Sequence, residues 1–302
     1  MHPSPSPEGT GRGGAERDYR EGMARSTARR RIVRVRIAVD GSRTVSRRED
    51  VLAAEEPLEI RIDGSSWAVT MRTPGDDFDL VAGFLVGEGV IVSPDQLRTL
   101  RYCAGRDEEG AQTYNVIDAQ LGPGAVPPSE AAARHSTTTS ACGICGTESI
   151  DAVAKVARLP IGQVAPLIDA DVVAALPDAL RDAQPVFDAT GGVHAAGLFT
   201  AGGDLVCVRE DVGRHNAVDK VIGWALREGR LPLADLVLQV SGRASFELVQ
   251  KARLAGIPML TAVGAPSTLA AQLADDSGVT LVGFSRGGSF AVHTHAERVR
   301  GL

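Results

Sequence analysis

Apolar residues recur along this chain at two different periods. Between Arg31 and Val39 they alternate with arginine as Ile32, Val33, Val35, Ile37 and Val39, which predicts a strand. Leu58, Ile60 and Ile62 alternate in the same way, and with Ala68-Val69-Thr70-Met71 they flank Asp63-Gly64, a pair suited to a tight β-hairpin. The period then lengthens. Phe78, Leu80, Val81, Phe84 and Leu85 form one helical face, entered from Thr73-Pro74-Gly75-Asp76, released at Gly87 and followed by apolar Val90-Ile91-Val92. A further strand is predicted over residues 113–119.

Beyond residue 185 strands and helices alternate. Val186-Phe187-Asp188 leads through Gly191-Gly192 into a strand over residues 193–199, which turns at Ala201-Gly202-Gly203-Asp204 into another over 205–208. Val218, Val221, Ile222, Ala225 and Leu226 share one side of a helix over 216–228 that stops at Gly229. Strands over 236–240, 258–263 and 279–284 are separated by helices over 246–255 and 269–274. That series is βαβαβ and implies right-handed parallel crossovers, so the fold class is α/β, with an α+β N-terminal part.

Composition sets limits and boundaries. Residues 1–30 are rich in Pro, Gly, Ser and Arg without apolar periodicity, and are predicted to form a disordered extension. A smaller N-terminal domain is expected over 31–135, a flexible loop over 136–147 and a larger α/β domain over 148–302, the junction marked by Gly122 to Pro128 and the polar run Ser136 to Ser140. The hydrophobic share of 43% and a net charge of −6 are those of an ordinary soluble protein. Neither a membrane span nor nucleic-acid binding is expected, and a cytoplasmic location follows.

The chemistry concentrates at Cys142-Gly143-Ile144-Cys145-Gly146, which holds two of the four cysteines. Glycines leave the sulfurs accessible. Ile150, Val153, Val156 and Ala157 recur at helical spacing just downstream, with Thr147 a suitable N-cap, so the pair would precede a helix N-terminus whose dipole favours a thiolate. A structural disulfide is disfavoured, since nothing resembles a signal peptide and four cysteines in this length make no disulfide scaffold. A zinc knuckle lacks its second ligand pair, because Cys103 and Cys207 stand alone. Zinc deaminases accompany Cys-x-x-Cys with His-x-Glu, but His295-Ala296-Glu297 lies on the wrong side of the cysteines and Ala141 stands where a proline belongs. Sulfur chemistry remains the favoured reading.

A ligand site is expected where the three parallel strands end, in the loops Ser241-Gly242-Arg243, Gly264-Ala265-Pro266-Ser267 and Ser285-Arg286-Gly287-Gly288-Ser289. Free backbone N–H groups and the forks of Arg243 and Arg286 suit a phosphate-bearing ligand, with Asp211 to Asn216 close to another helix start. No Gly-x-Gly-x-x-Gly opens the first βα unit, which argues against an ordinary dinucleotide site. His215 could act as a base with Asp188 as its partner, although local hydrogen bonding is the commoner use of such residues. His293 and His295 would share one face of a strand, without an evident third metal ligand.

Glu55-Glu56-Pro57-Leu58, Thr73-Pro74-Gly75, Leu80 to Leu85, Gly87-Glu88-Gly89, the cysteine motif, Thr190 to His194, Glu210 to Lys220, Ser241-Gly242-Arg243 and Gly283-Phe284 together resemble the formate dehydrogenase accessory protein family, FdhD. The eleven-residue block from Glu210 is the most specific of these. The resemblance implies a sulfurtransferase that takes persulfide sulfur from a cysteine desulfurase and passes it to the molybdenum cofactor, in its bis(molybdopterin guanine dinucleotide) form, before insertion into formate dehydrogenase. It implies Cys142 as persulfide carrier with Cys145 assisting, and a cofactor contact at Phe284, Ser285, Arg286, Gly287, Gly288 and Ser289, no resident metal, a cytidine-deaminase-like second domain and a homodimer. A chaperone that holds the cofactor without moving sulfur, and a zinc-dependent deaminase-like hydrolase, remain as alternatives.

Overall fold

Most of the predicted periods become elements in the computed structural model of the chain, which describes residues 26–103, 105, 113–127, 159, 161 and 166–302. Strand β1 (Thr27–Ile37) pairs antiparallel with β2 (Arg43–Ala53), Val35 opposite Val45 and Thr27 opposite Ala53. The expected boundary at residue 31 therefore falls inside a strand. Thr27 to Arg30 find ladder partners in Asp50 to Ala53, a long-range pairing that their polar composition does not announce. Residues 1–25 lie outside the described residues.

Strands β3 (Glu56–Ile62) and β4 (Ser65–Arg72) form the predicted hairpin, with positive φ at both Asp63 (47°) and Gly64 (83°) as a two-residue primed turn requires. They join β5 (Leu97–Tyr102) and β6 (Val116–Leu121) in a four-stranded sheet of order β4-β3-β6-β5, with β6 parallel to β3. The strand expected at 113–119 thus starts and ends later. Helix α1 (Asp77–Gly87) is buried around most of its circumference. Its Leu80 and Leu85 share one core cluster with Leu58, Ile60 and Ile117 of this sheet, and Val90 and Ile91 fill the same core from a coil segment.

In the second half, β7 (Ile168–Asp169), α2 (Ala170–Asp182) and α3 (Pro185–Thr190) precede the hairpin β8 (His194–Thr200) and β9 (Leu205–Asp211). Val186-Phe187-Asp188 therefore lie in a short helix, which follows from Pro185 at a first helical position. Then come α4 (Arg214–Arg227), β10 (Leu236–Val240), α5 (Phe246–Leu254), β11 (Met259–Ala262), α6 (Thr268–Ser277), β12 (Thr280–Arg286), β13 (Ser289–Thr294) and β14 (Val299–Arg300). The main sheet has the order β13-β12-β11-β10-β8-β9. β10, β11 and β12 are parallel, as the βαβαβ pattern predicts, with antiparallel β8 and β13 on either side.

Helices cover both faces of that sheet. Val173, Leu176 and Leu180 of α2 pack with Phe199, Val237, Met259 and Val282 on one face. Val221 of α4, Leu248 of α5 and Leu273 of α6 pack with Leu198, Leu238, Leu260 and Leu281 on the other. This is the three-layer α/β solution to burying a sheet with apolar residues on both sides. Helix α4 also packs on α1, so the core of the four-stranded sheet is continuous with that of the larger one.

Candidate functional site

The carboxyl ends of β10, β11 and β12 are held together by backbone. Gly264 N donates to Gly242 O (2.9 Å), Phe284 N to Gly264 O (3.0 Å) and Ser267 N to Ala244 O (3.1 Å). A Cβ on Gly283 would lie 2.6 Å from Pro266 Cδ, so the close approach of these segments requires glycine. Phe284 sits at an irregularity of β12 with a left-handed φ of 55° and is 46% exposed, its ring 6.3 Å from that of His293. Side chains in that conformation are uncommon and mark functional or strained positions.

The predicted loop 285–289 is mostly strand. Ser285 and Arg286 end β12, Gly287 and Gly288 form the turn, and Ser289 opens β13 opposite Arg286. Ser285 is fully buried and its hydroxyl donates to Val173 O (3.5 Å), which leaves it no face for a ligand. The alternation of a strand sends its side chain inward while Phe284 and Arg286 stay exposed.

Beside this edge lies a cleft of about 550 Å³ between α2, α3 and the sheet. Ser241 and Arg286 line it, together with His194, Gly191 and Gly192. Gly242, Arg243, Phe284, Gly287, Gly288 and Ser289 belong to the same sheet edge but not to the cleft wall. Cys142, Cys145 and the helix expected after them lie outside the described residues. The facing wall comes from Pro177, Asp178, Leu180 and Arg181 of α2, then Gln184, and Phe187 of α3, with Val193, Val212 and Val263 on the sheet side. No motif spacing signals those residues; a break between two helices, Gln184-Pro185, is their only mark in the sequence.

The polar groups of the cleft are held from behind. Ser241 Oγ accepts from Ala195 N (2.9 Å) and lies 3.5 Å from His194 Nδ1. Burial, and then the neighbouring Arg214 and His215, push the His194 imidazole below its ordinary pKa, so it stays neutral near pH 7. Arg181 pairs with Asp188 (2.6 Å) and lies over the Phe187 ring (4.6 Å). Arg286 has no ion-pair partner among the described residues, so its charge is available to an anion. Glu210 accepts from Val186 N and Phe187 N (2.8 Å each), which fixes α3 at the cleft edge.

The long block from Glu210 proves to be largely a lock. Asp211 is fully buried, accepts from Thr73 N (3.1 Å), Gly213 N (2.8 Å) and Asn216 Nδ2 (3.0 Å), and pairs with Lys220 (2.8 Å). Lys220 donates also to Thr73 O (2.9 Å) and Glu210 O (3.2 Å), so it ties α4 to the loop before α1. His215 contacts Ser245 Oγ (3.3 Å) and Glu247 (3.6 Å), whereas Asp188 is taken by Arg181; the suggested pair of His215 and Asp188 does not form. Sequence spacing could not reveal that the two residues are claimed by different helices.

Two further residues are corrected or placed. β13 ends at Thr294, and His295 adopts a left-handed φ of 51° at the start of a 3-10 turn, so it does not continue the strand face of His293. Its Nδ1 contacts Glu297 (3.1 Å), so these residues pair with each other. Among the described residues no three His, Cys, Asp or Glu cluster as metal ligands would. Cys207 is 7% exposed in β9, and burial pushes its thiol up to about 11. Such a thiol is an apolar filler, as its place in a strand suggests. Among the described residues no helix is long and apolar enough to cross a membrane.

Known proteins share this arrangement. A model of the FdhD/NarQ family matches residues 53–300. The chain is 56% identical over 278 residues to the sulfur carrier protein FdhD of Streptomyces avermitilis, covering 92% of this chain and 97% of that one. It is 52% identical over 280 residues to the protein of the same name in Mycobacterium tuberculosis, covering 92% of this chain and all (100%) of the relative. A crystal structure assigned as a formate dehydrogenase accessory protein of Desulfotalea psychrophila superimposes with a TM-score of 0.66 at 26% identity, over 90% of this chain and 99% of that one. With the match running from the end of β2 to β14 and including every wall of the cleft, the chain belongs to the FdhD/NarQ family.

Proposed function

We propose that this chain is a sulfur carrier and sulfurtransferase that loads persulfide sulfur from a cysteine desulfurase onto Cys142, with Cys145 assisting, and delivers it to the molybdenum cofactor before a formate dehydrogenase receives that cofactor. The observation that carries the reading is the cleft: it gathers Gly191-Gly192, His194, Ser241 and Arg286, from three separate blocks of the chain, beside the carboxyl ends of the parallel strands β10 to β12. The names of the relatives support sulfur carriage and the formate dehydrogenase connection.

The loading step balances without another reactant. The Cys142 thiolate attacks the outer sulfur of the donor persulfide, a sulfur–sulfur bond forms as the donor's breaks, and the donor leaves as a thiolate. The bis(molybdopterin guanine dinucleotide) cofactor is the substrate, and its phosphates call for cations and unbonded N–H groups. Arg286 supplies the cation, neutral His194 adds a hydrogen-bonding group without extra charge, and the volume lies within the roughly 300–1,000 Å³ usual for ligand sites. Exposed Phe284 beside the cleft offers a flat apolar face to the same substrate. We further take the second half to follow the cytidine-deaminase-like arrangement, the protein to work in the cytoplasm, and two copies to act together.

The test is intact-mass measurement after incubation with a cysteine desulfurase and cysteine. A gain of about 32 Da per sulfur, reversed by dithiothreitol, is expected for the unaltered chain and absent in Cys142→Ala. A full persulfide load on Cys142→Ala, with dehydrogenase maturation preserved, overturns the assignment and favours a cofactor-holding chaperone.

A further inference from the structure

Strands β1 and β2 form a two-stranded arm in which every residue from Val33 to Glu49 is exposed. Its base is held where β2 meets α3, a Cβ on Gly192 lying 3.3 Å from Ala53 Cβ. A two-stranded sheet is marginally stable in water unless something packs on it. Strand alternation, with Val35 opposite Val45, puts Val33, Val35, Ile37 and Val45 on one face, each between 54% and 64% exposed. Arg31, Arg43 and Arg47 stand on that same face, Arg43 opposite Ile37 and Arg47 opposite Val33. None of the three has an ion-pair partner among the described residues. An apolar face rimmed by unpaired charge is an interaction surface.

The charge of the chain identifies what fits it. Residues 27–53 hold eight arginines against three acids, a net of +5, in a chain of net −6, so the remainder carries −11. A second copy is therefore itself a complementary body. Strand-on-strand addition is disfavoured, since two copies of β1 side by side would set arginines against arginines. Helix α2 offers the counterpart. Its Asp171, Ala175, Asp178 and Asp182 fall at i, i+4, i+7 and i+11, a single exposed stripe, and the three aspartates have no ion-pair partner among the described residues. Exposed Leu167 precedes this helix, and exposed Leu205 follows a turn that touches it, a Cβ on Gly203 lying 3.0 Å from Val172.

The spacings correspond. Register places Arg31, Arg47 and Arg43 level with residues 31, 33 and 37 of β1, steps of about 7 and 13 Å along a strand. Asp182, Asp178 and Asp171 succeed one another at about 6 and 10 Å along a helix. Long arginine side chains absorb the difference. We propose that the arm docks on α2 of a second copy, Arg31, Arg47 and Arg43 facing Asp182, Asp178 and Asp171 while the valines cover Ala175 between them. The contact is reciprocal, each copy lending an arm to the other. The inference rests on the reading that two copies act together, and adds the surface that joins them.

Analytical ultracentrifugation of the full chain tests this, circular dichroism establishing that each variant is folded. The unaltered chain is expected to sediment as a dimer and to dissociate more readily as salt is raised. Reversing the arm, Arg31→Glu with Arg43→Glu and Arg47→Glu, should weaken self-association at least tenfold. Reversing the stripe, Asp171→Arg with Asp178→Arg and Asp182→Arg, should do the same. A mixture of the two reversed proteins should pair again, because each then meets opposite charge at both contacts. Dimers equally tight in the unaltered and both reversed proteins would overturn the arm's role and leave the two-copy reading standing. Weakening by the arm substitutions alone, with no recovery in the mixture, would overturn the pairing with α2. An unaltered chain that stays monomeric would overturn both readings.

Discussion

Gly83 of α1 and Gly223 of α4 meet backbone to backbone: a Cβ on Gly83 would lie 1.8 Å from Asp219 O and 2.8 Å from Gly223 N. The contact is reciprocal, since a Cβ on Gly223 would lie 1.8 Å from Asp79 O and 2.5 Å from Gly83 N. Close approach here also seats the buried ion pair Lys251 and Asp219 (2.7 Å) against Gly87. Either Gly83→Ala or Gly223→Ala should therefore cost about 1–3 kcal/mol or more, because backbone must move rather than a side chain. Chemical denaturation measures it, and an unchanged midpoint would contradict the packing.

Acid stability should depend on Glu247. Its carboxylate is held down to about 2, against an ordinary 4.5, chiefly by the His215 imidazole 3.6 Å away. A depressed pKa stabilises the fold fully above pH about 4.5, and that share, on the order of 1 kcal/mol once solvent screening of this half-buried pair is counted, is lost as the pH falls through about 2. Glu247→Gln should flatten the unfolding free energy between pH 5 and 2, while the unaltered chain loses stability steeply there. Parallel curves for the two would count against the pair.

Cys207 should not react. With its thiol pushed up to about 11, only about one molecule in a thousand carries the thiolate at pH 8, and burial blocks access to that fraction. Brief treatment with iodoacetamide followed by peptide mapping is expected to leave Cys207 unmodified in the folded protein and to modify it in denaturant.

Truncation should reveal where the described fold begins. A chain that starts at Ser26 keeps the whole β1–β2 ladder, whereas one that starts at Arg31 loses the pairing of Thr27 to Arg30 with Asp50 to Ala53. The second should show faster proteolysis within β2 than the first. Equal cleavage of both would mean that the first four pairs contribute nothing.

The elements of the second half were legible because their signals are local. Leu236 to Val240 is a continuous apolar run, Asn216 to Gly229 carries both helical period and a stop, and Asp63-Gly64 requires nothing beyond its own two residues to form a turn. The cysteine pair and the three loop sequences at the sheet edge could likewise be singled out from residue type and spacing.

Tertiary structure decided what no local signal carries. Asp211 reads in sequence as a polar group close to a ligand, and Glu210 and Lys220 as ends of the block that carries the resemblance, but the fold uses all three to hold α3, α4 and the Thr73 loop together, since buried charges must find partners. Ser285 and Arg286 are neighbours in the chain, yet the alternation of β12 buries one and exposes the other. Gln184 belongs to no motif, and it enters the cleft only because α2 and α3 are folded against the end of a sheet whose nearest strand begins ten residues later. Sequence alone determined the elements with strong local periodicity and the chemically conspicuous residues; the packing of distant elements determined which of those residues face a ligand, because burial and pairing are properties of the assembled core.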